Sequence, residues 1–198
     1  MKSKHLLIIL SFVCLLPLAS FAQEKPKLQY TIGFGSSVDM NSTLYGLNFS
    51  NELNVRLGKR TSFNGMVSFY QSLGSLENKV LPAGSDGKNR EQSSGIFFTP
   101  TLKYDFIQRP SGFKLSFAAG PSLQLGGESV IHSHYTGMPT KYSINKYQRI
   151  GLLMELEAEW NSKNPNRKNA ASLSAFSADN GLWYINATYK VRFNLGKK

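Results

Sequence analysis

Residues 46–60, GLNFSNELNVRLGKR, alternate apolar and polar side chains almost without interruption. Leu47, Phe49, Leu53, Val55 and Leu57 share one parity; Asn48, Ser50, Glu52, Asn54 and Arg56 share the other. Side chains along a strand point to opposite faces in turn, so this pattern describes a strand with one apolar face. Seven more stretches repeat it. Their apolar parities are Tyr30, Ile32 and Phe34; Phe63, Val67 and Phe69; Ile96, Phe98, Leu102, Tyr104 and Phe106; and Phe113, Leu115, Phe117, Leu123 and Leu125. The remaining three are Ile150, Leu152, Met154, Leu156 and Trp160; Leu173 and Ala175; and Trp183, Ile185, Tyr189, Val191, Phe193 and Leu195. Residues 150–160 are rich in helix formers, yet only a strand sets Glu155, Glu157 and Glu159 on one side. The chain is therefore expected to be all-β, with eight antiparallel up-and-down strands.

The seven connections fall at 39–45, 58–61, 73–94, 107–112, 127–145, 161–169 and 179–182. The second and fourth are short, the third and fifth long and polar, and DNG in the last signals a tight hairpin. Short turns at one end and long loops at the other are the habit of membrane barrels. An even strand count puts both mature termini at the short-turn end.

The N-terminus is a leader by its layout. Lys2 and Lys4 precede an apolar run from Leu6 to Leu18, and ASFAQ supplies small residues at Ser20 and Ala22. Residues 1–22 are read as a signal peptide and 23–198 as one barrel domain. The single cysteine, Cys14, falls inside the leader, so export does not serve disulfide formation. Beyond the leader no window approaches the twenty apolar residues of a spanning helix, a test to which barrels are invisible.

Volume decides which face looks outward. An eight-stranded barrel is just wide enough for its interior to be filled by side chains. The apolar parity carries too many Phe, Tyr, Trp and Leu residues for that space. The other parity is rich in Gly, Ser, Thr, Ala and Asn, as in Gly33, Gly35, Ser116, Ala118, Gly120 and Ser122. The bulky parity is expected to face lipid. The inner parity also holds Arg56, Lys103, Lys114, Lys190 and Arg192 against Glu52, Asp105, Glu155, Glu157 and Glu159. Charges withdrawn from water need partners, so these ten residues form an expected ionic network in the lumen. If Phe106 faces Phe113 across the turn, Asp105 pairs with Lys114; the next strand brings Lys114 opposite Glu159.

Much of the net charge of +11 lies at the short-turn end: Lys25, Lys27, Lys59, Arg60, Arg109, Lys163, Arg167, Lys168, Lys197 and Lys198. Tyr30, Tyr104, Phe106, Phe113, Trp160, Trp183 and Phe193 stand near strand ends as candidates for interfacial girdles. Pro100 and Pro121 lack an amide donor and fall close together across one hairpin, where a shared bulge is expected.

The LASFAQ junction, the repeated aromatic alternation and the final strand YINATYKVRFNLGKK together resemble the small outer-membrane β-barrel families of Gram-negative bacteria, in particular the outer membrane protein beta-barrel domain and PorT-like groups. The resemblance covers the whole mature chain. It implies an outer-membrane location and delivery by the barrel assembly machinery, whose recognition of an aromatic C-terminal strand Phe193 would satisfy. Gly196, Lys197 and Lys198 trail beyond the usual end.

The leading functional expectation is a non-enzymatic outer-membrane protein without a cofactor. Its role would lie in envelope structure, in surface interaction through residues 73–94 and 127–145, or in limited passage of small solutes. Its partners would be outer-membrane lipids and surface or periplasmic proteins. Two alternatives stand beside it. One is a membrane-embedded lipid hydrolase using His132 and Ser133, with His134, Ser129 and Glu128 nearby. The other is a soluble exported lipocalin-like barrel with the faces inverted around an apolar ligand. Two histidines two apart, without carboxylate or thiolate partners, do not make a metal site, and there is no nucleic-acid motif.

Overall fold

The computed structural model describes residues 28–75, 91–133, 141–179 and 181–195. The leader, its junction at Ala22, Lys25, Lys27, Lys197, Lys198, His134 and the centres of the two long connections lie outside the described residues. Eight strands follow in order: β1 Leu28–Asp39, β2 Leu44–Arg56, β3 Thr61–Ser75, β4 Gln92–Gln108, β5 Lys114–Ser133, β6 Lys141–Asn161, β7 Arg167–Ala178 and β8 Gly181–Asn194. Each pairs antiparallel with its sequence neighbours, and β1 closes on β8, giving a barrel with no open seam.

Alternation sets the faces as volume requires. Phe49, Phe69 and Phe117 point outward and are 42%, 44% and 44% exposed. Phe34, Phe49 and Phe69 are cross-strand neighbours, so the outer surface carries a continuous aromatic row. The arrangement is the opposite of a ligand-binding barrel with an apolar centre. Residues 150–160 belong to a strand, and Glu155, Glu157 and Glu159 all turn inward despite their helix propensity. A segment flanked by two ladders gains more from pairing than from local preference.

The short connections hold together by hydrogen bonds. Asp179 adopts φ +49° between Ala178 and Gly181, a left-handed value that Asp tolerates in a tight hairpin. At Gly112 (φ +86°) a side chain would meet Asn161, whose amide donates to the Ser111 carbonyl at 3.1 Å.

Four expectations need correction. The fifth connection is not a loop over 127–145, because β5, 20 residues long, continues to Ser133 and β6, 21 residues long, begins at Lys141. Phe106 and Phe113 are not partners. A bulge between Asp105 and Ile107 sets Gln108 opposite Lys114 and Asp105 opposite Ser116. The prolines share no bulge: Phe98–Leu123 and Leu102–Ala119 keep one register on either side, leaving Pro100 opposite Pro121. Two facing residues without N–H strand carbonyls only, which tolerate being unpaired better than donors do. Inside this gap Thr99 and Ser122 bridge by their hydroxyls at 2.7 Å. The fourth correction concerns Trp183, which leaves the girdle. A register shift between Phe176 and Ser177 turns its ring over the Arg149 guanidinium, 3.6 Å away.

Candidate functional site: the sealed interior

The ten charged residues of the polar parity all take part in ion pairs inside the barrel. Asp105, from β4, lies near the short-turn end. Its carboxylate accepts from Arg56 Nη1, Gln108 Nε2 and Ser116 Oγ, each at 2.8 Å, with Lys114 Nζ at 3.6 Å. Arg56 also donates to the carbonyls of Gly58 and Lys59, tying the network to the β2–β3 turn. Lys114 reaches Glu159 at 3.8 Å, and the two residues are register partners.

Deeper in, the charges are fully enclosed. Glu157 meets Arg192 at 3.0 Å, Lys190 at 3.4 Å and Lys103 by a short contact. Lys190 also holds Glu52 at 2.5 Å and Glu155 at 2.6 Å, while Arg192 pairs with Glu159 and donates Nε to Thr31 at 3.0 Å. The side chains of Lys190 and Glu157 are each 1% exposed, against 24% for Arg56 and 22% for Lys114. The network is therefore open to water at the turns and dry at its core. Burial removes several kcal/mol of hydration from each ion, and only multiple close partners offset that.

Sequence reasoning leaves some members out. Lys168 reads as one of the basic turn-end residues, yet its Nζ lies 2.7 Å from Glu159. Its inner parity on β7 is the available signal. More consequential is a second seal towards the long-loop end. Tyr70, Phe97, Phe176 and Tyr184 form a buried cluster on the inner face. Tyr70 and Tyr184 meet edge-on at 5.0 Å, Phe97 and Phe176 at 5.3 Å, and Phe97 and Tyr184 at 5.4 Å. Each ring stands on the polar parity of its strand, which is how the sequence could have shown it. Glycines make the room: a Cβ on Gly46 would lie 2.7 Å from the Tyr70 ring, and one on Gly151 2.7 Å from Phe176. Above the cluster the Tyr147 hydroxyl lies 3.1 Å from that of Tyr184 and 3.2 Å from Ser93.

Between the two seals lies a cavity of about 20 Å³ lined by residues such as Asn48, Ser50, Tyr70, Phe176, Asn186 and Lys190. That is space for roughly one water. Hydroxyl and amide pairs border it, including Thr188 to Asn48 at 3.1 Å and Asn186 to Ser174 at 3.2 Å. No group of three or more metal-ligating side chains occurs among the described residues. His132 and Ser133 end β5, and their side chains, like His134, lie outside the described residues. Glu128, the acid of the hydrolase alternative, accepts from Ser42 and Asn145, each at 3.4 Å.

On the outer surface Tyr104, Phe106 and Phe193 are exposed towards the short-turn end, and Trp160 packs 6.3 Å from Tyr189. The Tyr30 hydroxyl donates to Asn51 at 2.6 Å. Phe113 precedes β5, with the Arg109 guanidinium 5.9 Å from its ring.

No protein-family model and no curated protein matches the sequence. Solved structures do. Neisserial surface protein A aligns at a TM-score of 0.51 and 14% identity, over 86% of this chain and 97% of that one. The N-terminal β-barrel domain of Pseudomonas aeruginosa OprF aligns at 0.53 and 12%, over 86% and 100%. A major outer membrane protein from Thermus thermophilus aligns at 0.55 and 9%, over 85% and 99%. At such identities the likeness is one of fold.

Proposed function

We propose that the chain is an integral outer-membrane β-barrel without enzymatic activity. Its work would lie in envelope structure and in contacts made at the long-loop end. The observation that carries this reading is the pairing of an outward aromatic and aliphatic surface with ions sealed inside. In water such a surface would be a large apolar liability, whereas in lipid it is the required face. The fold shared with a major outer membrane protein supports the same environment. The short turns and both mature ends would then face the periplasm. The finer assignment to PorT-like barrels rests on the export junction, the aromatic alternation and the final strand.

Two closures in series argue against a solute channel, so the long-loop end becomes the functional surface. Membrane fractionation followed by electrophoresis with and without boiling tests the proposal. The protein should stay in washed membranes until detergent is added and should migrate differently before heating. Release by washing alone would overturn it.

A further inference from the structure

The β5–β6 hairpin outgrows the barrel that carries it. β6 first meets β7 at Leu152–Ser177, so residues 141–151 have β5 on one side and no described strand on the other. The neighbouring strands turn back below this level, β7 ending at Ala178 and β8 starting at Gly181. Residues 141–148 therefore form a protruding strand edge about 25 Å long. Alternate residues of such an edge direct their N–H and C=O groups sideways, where another strand could use them.

The charge carried by the edge strand itself is one-sided, and Glu128 on the β5 side of it is engaged by Ser42 and Asn145. Between Lys141 and Gly151 the cations are Lys141, Lys146 and Arg149, and no acidic residue occurs. Lys141 and Lys146 are exposed, and Arg149 is held between the Tyr147 and Trp183 rings at 3.7 and 3.6 Å. On the outward face Ile144 and Ile150 are each 74% exposed, further than any other large apolar residue described. A second copy in the same membrane is a poor occupant. Its β6 would lie in the same direction, with lysines against lysines.

We propose that residues 141–148 take up an extended segment of a partner protein as an added strand, and that this segment alternates apolar and acidic residues. Main-chain hydrogen bonds would supply affinity, Ile144 and Ile150 an apolar contact on the outward face, and Lys141 the charge selection on the opposite face. Lys146, which shares the face of Ile144, would add a longer-range attraction for the same acidic side chains. This deepens the reading of the long-loop end as a contact surface and rests on it.

The test uses the full chain folded in detergent micelles, with unboiled mobility as the check on folding. It is titrated with three synthetic octapeptides: alternating Val and Glu, alternating Val and Lys, and the acidic peptide N-methylated at every second residue. The acidic peptide should bind and slow hydrogen exchange of alternate amides within 141–148. The N-methylated form should lose this protection, and K141E/K146E should weaken acidic binding at least about tenfold, or some 1.4 kcal/mol, while favouring the basic peptide. Equal binding of the N-methylated peptide would reduce the effect to charge and overturn strand addition. So would the absence of binding, protection elsewhere, or edge amides already slow without peptide, which would mean that another part of the chain occupies the edge. A chain that fails the mobility test but keeps peptide-dependent protection would refute the membrane reading alone.

Discussion

Glu157 is the residue on which the interior turns, because Lys103, Lys190 and Arg192 all converge on it. Removing its carboxylate leaves Lys103 without a described acidic partner and takes one from Lys190 and from Arg192 in a space with little water. Glu157→Leu should therefore destabilise the barrel by about 3–5 kcal/mol, the scale for breaking a buried ion pair from one side. Urea unfolding in micelles, followed by the loss of heat-dependent mobility, measures this. An unchanged midpoint would mean that water reaches the network. Two glycines make a sharper steric pair. Gly151→Ala drives a methyl into the Ser177 carbonyl oxygen, whereas a Cβ on Gly65 meets nothing within 4 Å. The first should cost about 1–3 kcal/mol, the usual range for overpacking, and the second should be close to neutral. Comparable losses in both would show that the space around the added methyl does not set the cost.

Strand lengths carry the next level of meaning. A transmembrane strand needs about 9–11 residues, which β1, β2, β7 and β8 exceed only slightly, while β5 and β6 are nearly twice as long. Within β6, residues 152–159 are paired on both sides and 141–148 on one. Amides of the upper segment should exchange faster, by roughly two orders of magnitude, since local opening breaks only one ladder. Uniform exchange along β6 would refute this division. Such a hairpin is hard to read in the sequence: residues 127–145 mix polar and apolar side chains on both parities, so the alternation that identifies Leu47 to Leu57 has no contrast there. Parity does expose the lumen charges, because a charge on the inner face stands out against glycine and serine. It hides Phe97, because Ile96 and Phe98 fill the outer parity and the inner ring looks like part of the same apolar run. It hides Phe176 because the outer parity of β7, with Leu173 and Ala175, gives little contrast. Trp183 shows the remaining limit. Its parity is outward, and only a register shift, a tertiary event, turns it over Arg149.

At the scale of the whole molecule the two seals act in series, so neither should govern permeability alone. Opening the aromatic seal, with Tyr70, Phe97, Phe176 and Tyr184 replaced by Ala, would leave the cross-linked charges around Glu157 and Lys190 filling the lumen beneath. Neutralising those charges with small residues would leave the rings in contact. Planar-bilayer recordings should therefore show the wild type and F97A/Y184A at background. Combining F97A/Y184A with E157A/K190A/R192A should produce steps, provided the heat-dependent mobility shift shows that the barrel still closes. The triple change takes Glu157 from Lys103 and Lys190 from Glu52 and Glu155, so the mobility check on folding decides whether the recording can be read. Conductance in the wild type would contradict a sealed interior. Conductance in F97A/Y184A alone would show that ions and water thread the lower network, and would move the barrier to the long-loop half. Silence in the folded combined variant would place a further obstruction outside both layers.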